Sequence, residues 1–191
     1  MKKAIFRSLA VLIIIGLSIS FGLIYTRMYE RYEYKSYPCG FEEIVTKYSE
    51  KYGVPSIIVY SIIKTESDFQ SNAVSSANAV GLMQITSDTC DWVAMKLGEK
   101  SEFALMYDPE TNIRYGTYLI SYLKLEYGNW DTAFAAYNAG LGRINSWLED
   151  ERYSDGNGVL KEIPIDETRA YVEKINETWK IYKRLYPELD N

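Results

Sequence analysis

The sequence predicts an all-α domain behind one N-terminal transmembrane helix, and three observations carry that reading. Residues 8–26 hold no charged side chain, which as a helix would span about 28 Å, close to the apolar thickness of a bilayer. Apolar side chains then recur at helical spacing in widely separated segments: Ile58, Val59, Ile62 and Ile63; Ile113, Leu119, Tyr122 and Leu123; and Val172, Ile175, Trp179, Tyr182 and Tyr186. Gly53, Pro55, Pro109 and Gly128 fall at the ends of such segments, where they start or stop helices. At 191 residues, less the N-terminal run, the chain has room for one domain that buries a core without disulfides.

Lys2, Lys3 and Arg7 precede the uncharged run, and its best small-x-small site, Ser18 to Ser20, lies inside it, so it reads as an anchor and not as a cleaved signal. Arg27, Arg31 and Lys35 nearly balance the charges on the near side, so basic residues give little bias to its orientation. Tyr25 to Tyr37 mixes charges with tyrosine, has no apolar period and reads as a stalk. The limits expected are 1–26 for the anchor, 27–40 for the juxtamembrane stalk and 41–191 for the globular domain.

Within the domain, Phe41 to Tyr52 is expected as a first helix with Ile44, Val45 and Tyr48 inward, stopped by Gly53. Pro55 opens the helix that carries the apolar stripe to Glu66. Ser67 to Val80, rich in Ser, Asn and Ala, reads as a loop, and Gly81 to Gln84 as a turn. A helix follows from about Ser87 to Leu97, capped by Thr86 or Ser87. Asp108-Pro109-Glu110 starts another that runs to Tyr127, and Asn129 caps one that closes at Tyr137-Asn138-Ala139-Gly140. A short helix near Ile144 to Leu148, a turn at Ser154 to Gly158, an extended stretch from Val159 to Ile165 and a closing helix complete the domain.

Net charge is -5 with pI near 5.0, and no basic patch interleaved with aromatics occurs, so nucleic acid is not an expected partner. Histidine is absent, which removes Ser-His and Cys-His nucleophiles and most zinc sites; no metal or cofactor is expected, and carboxylates, tyrosines and lysines remain for proton transfer. Cys39 and Cys90 lack metal-ligand spacing and leave open two free thiols or one disulfide. The 18 tyrosines fit amphipathic helix faces and equally a surface that stacks on sugars.

Glu66 stands apart. At 100° per residue it falls within about 60° of Val59, Ile62 and Ile63, so a carboxylate ends an apolar helix face. Such a group is tolerated by the fold, paired with a buried cation, or held in a dry place for chemistry. Four blocks follow in order: Glu66-Ser67; Gly81-Leu82-Met83-Gln84; Ala136-Tyr137-Asn138-Ala139-Gly140; and Ile163-Pro164 followed by Glu167-Thr168-Arg169-Ala170-Tyr171-Val172. Together they resemble the catalytic domain of the family 1 bacterial lytic transglycosylases, relatives of goose-type lysozyme, over about Phe41 to Tyr186.

The resemblance implies a lysozyme-like helical fold with a groove for peptidoglycan glycan strands; joined to the anchor read from residues 8–26, the expectation is a membrane-anchored enzyme acting on the extracytoplasmic side. By it, Glu66 is the catalytic acid, and Ser75, Met83, Gln84, Tyr137 and Glu167 bind substrate: Ser75 near the acetamido group, Met83 and Gln84 along the sugar subsites, Tyr137 near the acid and Glu167 on the groove wall. The reaction implied is non-hydrolytic cleavage between N-acetylmuramic acid and N-acetylglucosamine, leaving 1,6-anhydro ends. A hydrolytic muramidase of the same fold and a silent glycan-binding scaffold are the alternatives. Two positions depart from the family pattern: Asn78 replaces a usual glycine and Ser87 a usual proline, yet asparagine tolerates positive φ and a serine hydroxyl can cap a helix.

Overall fold

The computed structural model describes residues 2–190, which fall into two units that divide between Pro38 and Cys39. The first unit is one helix, α1 (Lys2–Ser36), whose Leu12–Ser36 stretch is long and apolar enough to cross a membrane. The stretch expected as a stalk is thus helical almost to its end. Tyr, Arg, Met, Glu and Lys supply no breaker before Pro38, so a helix already nucleated in the apolar run propagates through them.

The second unit is helical, with no strand among the described residues beyond isolated bridges such as Val74 to Val80 and Ser154 to Leu160. Its helices are α2 (Glu42–Tyr52), α3 (Ser56–Glu66), α4 (Ser87–Leu97), α5 (Pro109–Tyr127), α6 (Trp130–Ala139), α7 (Leu141–Leu148) and α8 (Asp166–Leu185). Their ends follow from side-chain chemistry. Thr86, Asp108 and Asn129 cap α4, α5 and α6 by accepting the N–H of Thr89, Thr111 and Thr132, and Gly53, Gly98 and Gly128 close α2, α4 and α5 with positive φ. Two short 3₁₀ turns, Phe103–Tyr107 and Pro187–Leu189, have no counterpart in the sequence reading, because a single turn shows no period.

α3 is the axis of the domain. Every residue from Ile57 to Ile63 is buried, so this helix is enclosed all round and not merely along the expected stripe. Even Ser61 is accommodated, its hydroxyl donating to the Ile57 carbonyl at 2.6 Å. α8 packs along α3, α6 packs on both α5 and α8, and α5 supports α2 and α4. Glu66 is therefore the last residue of the most enclosed helix. Cys39, half-buried, and Cys90, buried, are free thiols.

Candidate active site

At the end of α3 the chain turns sharply through Asp68 and Phe69, both at positive φ, and Glu66 opens onto a cavity of about 450 Å³. Partial exposure through the cavity mouth coexists with burial of the carboxyl, and burial pushes Glu66 up to about 7. The Tyr171 hydroxyl, which donates to Glu66 Oε1 at 2.5 Å, and the Lys174 ammonium both pull it down, but desolvation prevails. Lys174 itself donates to the Thr65 carbonyl at 3.2 Å. The site thus holds a carboxyl that retains a protonated fraction at neutral pH, with one oxygen fixed by a phenol and the other left for a ligand.

The wall opposite is built by the turn that precedes α4 and by the end of α6. Ser75 lines the cavity; its hydroxyl oxygen accepts the Ala79 N–H at 3.1 Å, which leaves its own hydrogen to donate. Asn78, at φ 57, carries the loop through the left-handed region as its residue type permits. Gln84 also lines the cavity, yet its Nε2 is engaged by the Gly81 and Ala73 carbonyls at 2.9 and 3.3 Å, so only its Oε1 faces a ligand unengaged by these bonds. Tyr137 lines it too; its hydroxyl donates not to Glu66 but to the Met83 carbonyl at 2.8 Å. Burial, with a contribution from the Glu66 charge, pushes the Tyr137 phenol well above its usual range.

Glu167 reaches the cavity from the first turn of α8, and the Asn138 amide oxygen accepts the Thr168 hydroxyl at 2.9 Å, tying that turn to the end of α6. Met83 departs from the expected lining. Its side chain is fully buried against Gly116 of α5 and does not line the cavity; its backbone carbonyl holds the Tyr137 hydroxyl. Tyr171, the partner of the carboxyl, carried no expected role; the signal was its place one helical turn after Glu167, on the same face of α8. Among the described residues no group of three or more His, Cys, Asp or Glu is placed to hold a metal ion. A larger cavity of about 530 Å³, between α2 and the C-terminal 3₁₀ turn, shares no residue with this one.

An enclosed central helix ending in a carboxyl at a groove defines a lysozyme-like helical domain. Residues 43–159 match the model of the transglycosylase SLT domain, and the chain belongs to that family. It is 31% identical over 144 residues to the soluble lytic murein transglycosylase of Escherichia coli K12, covering 73% of this chain and 22% of the relative. To the membrane-bound lytic murein transglycosylase C of Pectobacterium atrosepticum it is 30% identical over 166 residues, covering 74% of this chain and 46% of the relative. Among solved structures, the lytic transglycosylase Slt of Pseudomonas aeruginosa, an inactive glutamate-to-glutamine mutant, superposes with TM-score 0.68 and 32% identity, covering 78% of this chain and 24% of that one. The 70 kDa soluble lytic transglycosylase of Escherichia coli gives TM-score 0.72 at 28% identity, covering 83% and 27%. The chain therefore spans about a quarter to a half of the relatives that it matches.

Proposed function

We propose that this protein is a lytic transglycosylase that cleaves the bond between N-acetylmuramic acid and N-acetylglucosamine in peptidoglycan. The observation that carries the reading is the Glu66 carboxyl pushed up to about 7 at the edge of a groove, since a freely hydrated glutamate has no proton to give at neutral pH. The names of the relatives and the inactive glutamate-to-glutamine mutant of one of them agree with it.

In this mechanism Glu66 gives its proton to the glycosidic oxygen as the bond from that oxygen to muramic C1 breaks. The electron pair leaves with the oxygen, and the released N-acetylglucosamine end departs as an alcohol. The substrate's acetamido group stabilises the cation at C1, with Ser75 placed to orient it and Gln84, Tyr137 and Glu167 lining the bed of the strand. Glu66, now ionised, takes the proton of the muramic 6-hydroxyl; O6 bonds to C1, the 1,6-anhydro ring closes, and the acid is restored without water being consumed.

Glu167 on the same cavity supports one alternative, since ordinary glycosidases pair an acid with a second carboxylate that activates water. Mass spectrometry of digested glycan strands separates the two: we expect 1,6-anhydro ends, and reducing ends alone would overturn the transglycosylase reading.

We further propose that α1 anchors the protein as a single span with the catalytic domain outside the cytoplasmic membrane, where peptidoglycan lies. The Leu12–Ser36 stretch and the membrane-bound relatives support this. Cys39 is a poor reporter of sidedness, because burial pushes its thiol up to about 11 and leaves little thiolate to react. Leu125, 83% exposed on α5, is a better position. A Leu125→Cys protein is expected to react with a membrane-impermeant maleimide in intact, wall-permeable cells; reaction only after lysis would place the domain inside.

A further inference from the structure

Behind the groove wall, polar contacts from three helical segments converge on one turn. Asn112 in α5 is fully buried, and its amide is engaged at both ends. Its Oδ1 accepts the Met83 N–H at 2.7 Å, while Nδ2 donates to the Val80 carbonyl at 2.9 Å and the Met106 carbonyl at 2.8 Å. On the other side of the same residue, the Met83 carbonyl accepts the Tyr137 hydroxyl at 2.8 Å. The preceding carbonyl, that of Leu82, accepts the hydroxyl of Ser67, the neighbour of Glu66, at 2.8 Å.

There is no slack in this arrangement. Gly81 sits at φ 80, and a Cβ built there would lie 2.3 Å from Asn112 Nδ2; one built on Gly116 would lie 2.4 Å from Met83 Sδ. Both glycines let the turn press against α5, where one side-chain amide holds it. Asn112 is thus the core-side end of a chain of hydrogen bonds whose other ends are Tyr137 on the cavity wall and Ser67 beside the acid.

We infer that Asn112 is a positioning residue for the chemistry at Glu66, acting through the Met83 peptide to hold the Tyr137 ring and the Ser67 end of α3 in register around the carboxyl. It touches no reacting atom. The inference rests on the reading of Glu66 as the acid. Loosening the turn lets water reach the carboxyl, weakens the desolvation that keeps it protonated, and moves the alkaline limb of the pH–rate profile toward lower pH. A residue with a merely structural role would leave that limb in place.

The test compares Asn112→Ala with Val45→Ala, which opens a cavity in the core on α2, away from the groove lining. At matched loss of thermal midpoint, Asn112→Ala is expected to lower kcat about 10- to 100-fold with KM within about threefold, and to move the alkaline limb down, while Val45→Ala leaves the limb unmoved. Tyr137→Phe, which cuts the same chain at its other end, is expected to move the limb the same way, and the double variant is expected to be no worse than Asn112→Ala alone. If Asn112→Ala does not fold, Asn112→Leu, which keeps about the same volume and removes the acceptor to the Met83 N–H, carries the same comparison. An unmoved limb, or additive losses in the double variant, would overturn the inference. Glycan cleavage that persists in Glu66→Gln would instead overturn the reading of the acid on which it rests.

Discussion

Glu66→Gln is expected to lower the rate of glycan cleavage by about 10⁴-fold, the upper range for general acid–base catalysis, because the proposed mechanism asks one group for both proton transfers. Glutamine keeps the shape and can still accept the Tyr171 hydroxyl, so the groove and its affinity for glycan strands should survive. The same substitution should stabilise the fold, and the sign follows from linkage. The folded carboxyl titrates near 7 against an ordinary 4.5, so the folded state holds the proton more tightly. Stability from this group is fully present below about 4.5 and is lost as the pH rises through about 7, where an ion must be kept in a dry site. Glutamine carries no such ion. Above pH 7 the variant should therefore be more stable by about 1–3 kcal/mol, a range reduced from the full shift because the cavity mouth admits some solvent. Below about pH 4.5 that difference should vanish. Denaturant titrations at pH 4 and pH 8 give the answer: equal gains at both would show that Glu66 is not held protonated by burial, and wall lysis retained by the variant would remove it as the acid.

The frame of this molecule was legible where a local rule governs. Asp108 followed by Pro109 announces α5 because a carboxylate beside a free N-terminal turn and a ring without N–H both suit that position, and the structure starts the helix there. Glu66 stood out because period alone puts it on an apolar face. What period could not show was that α3 is enclosed on every side, since that depends on α8 and other partners from distant sequence. Asn112 was invisible for a related reason: beside Ile113 in a helix it reads as an ordinary polar position, and only the fold brings the Met83 peptide to it across the domain. Met83 shows the converse, a motif residue whose side chain fills the space left by Gly116 while its backbone carries the contacts. Tyr137 lay in a block associated with the acid, yet its hydroxyl is engaged by a carbonyl; the direct partner, Tyr171, sat in the fourth block without a role.

That partner gives the second large effect. The Tyr171 hydroxyl donates to Glu66 Oε1 at 2.5 Å, and a bond donated to a carboxylate favours its charged form. Two consequences of Tyr171→Phe follow and can be separated. Without the donor the carboxyl loses the contact that fixes its rotation, so its other oxygen is no longer held toward the scissile bond; a misalignment of this kind costs about 10²-fold in kcat. Without the donor the charged form also loses a contact worth about 1.5–3 kcal/mol, equivalent to about one to two pH units, so the proton is held more tightly. The alkaline limb of activity, set near 7 by the buried acid, should move up, opposite to the downward movement expected of Asn112→Ala. In the step in which Glu66 acts as base, the more basic carboxylate draws the 6-hydroxyl proton more strongly, but the lost alignment outweighs that gain. Rate profiles of the two single variants on the same glycan substrate, from pH 5 to pH 9, make the comparison. Opposite displacements are expected if one residue sets the charge balance of the acid and the other its dryness. A limb that stays in place in Tyr171→Phe would mean that burial alone controls the proton, and that the phenol serves only to aim the carboxyl.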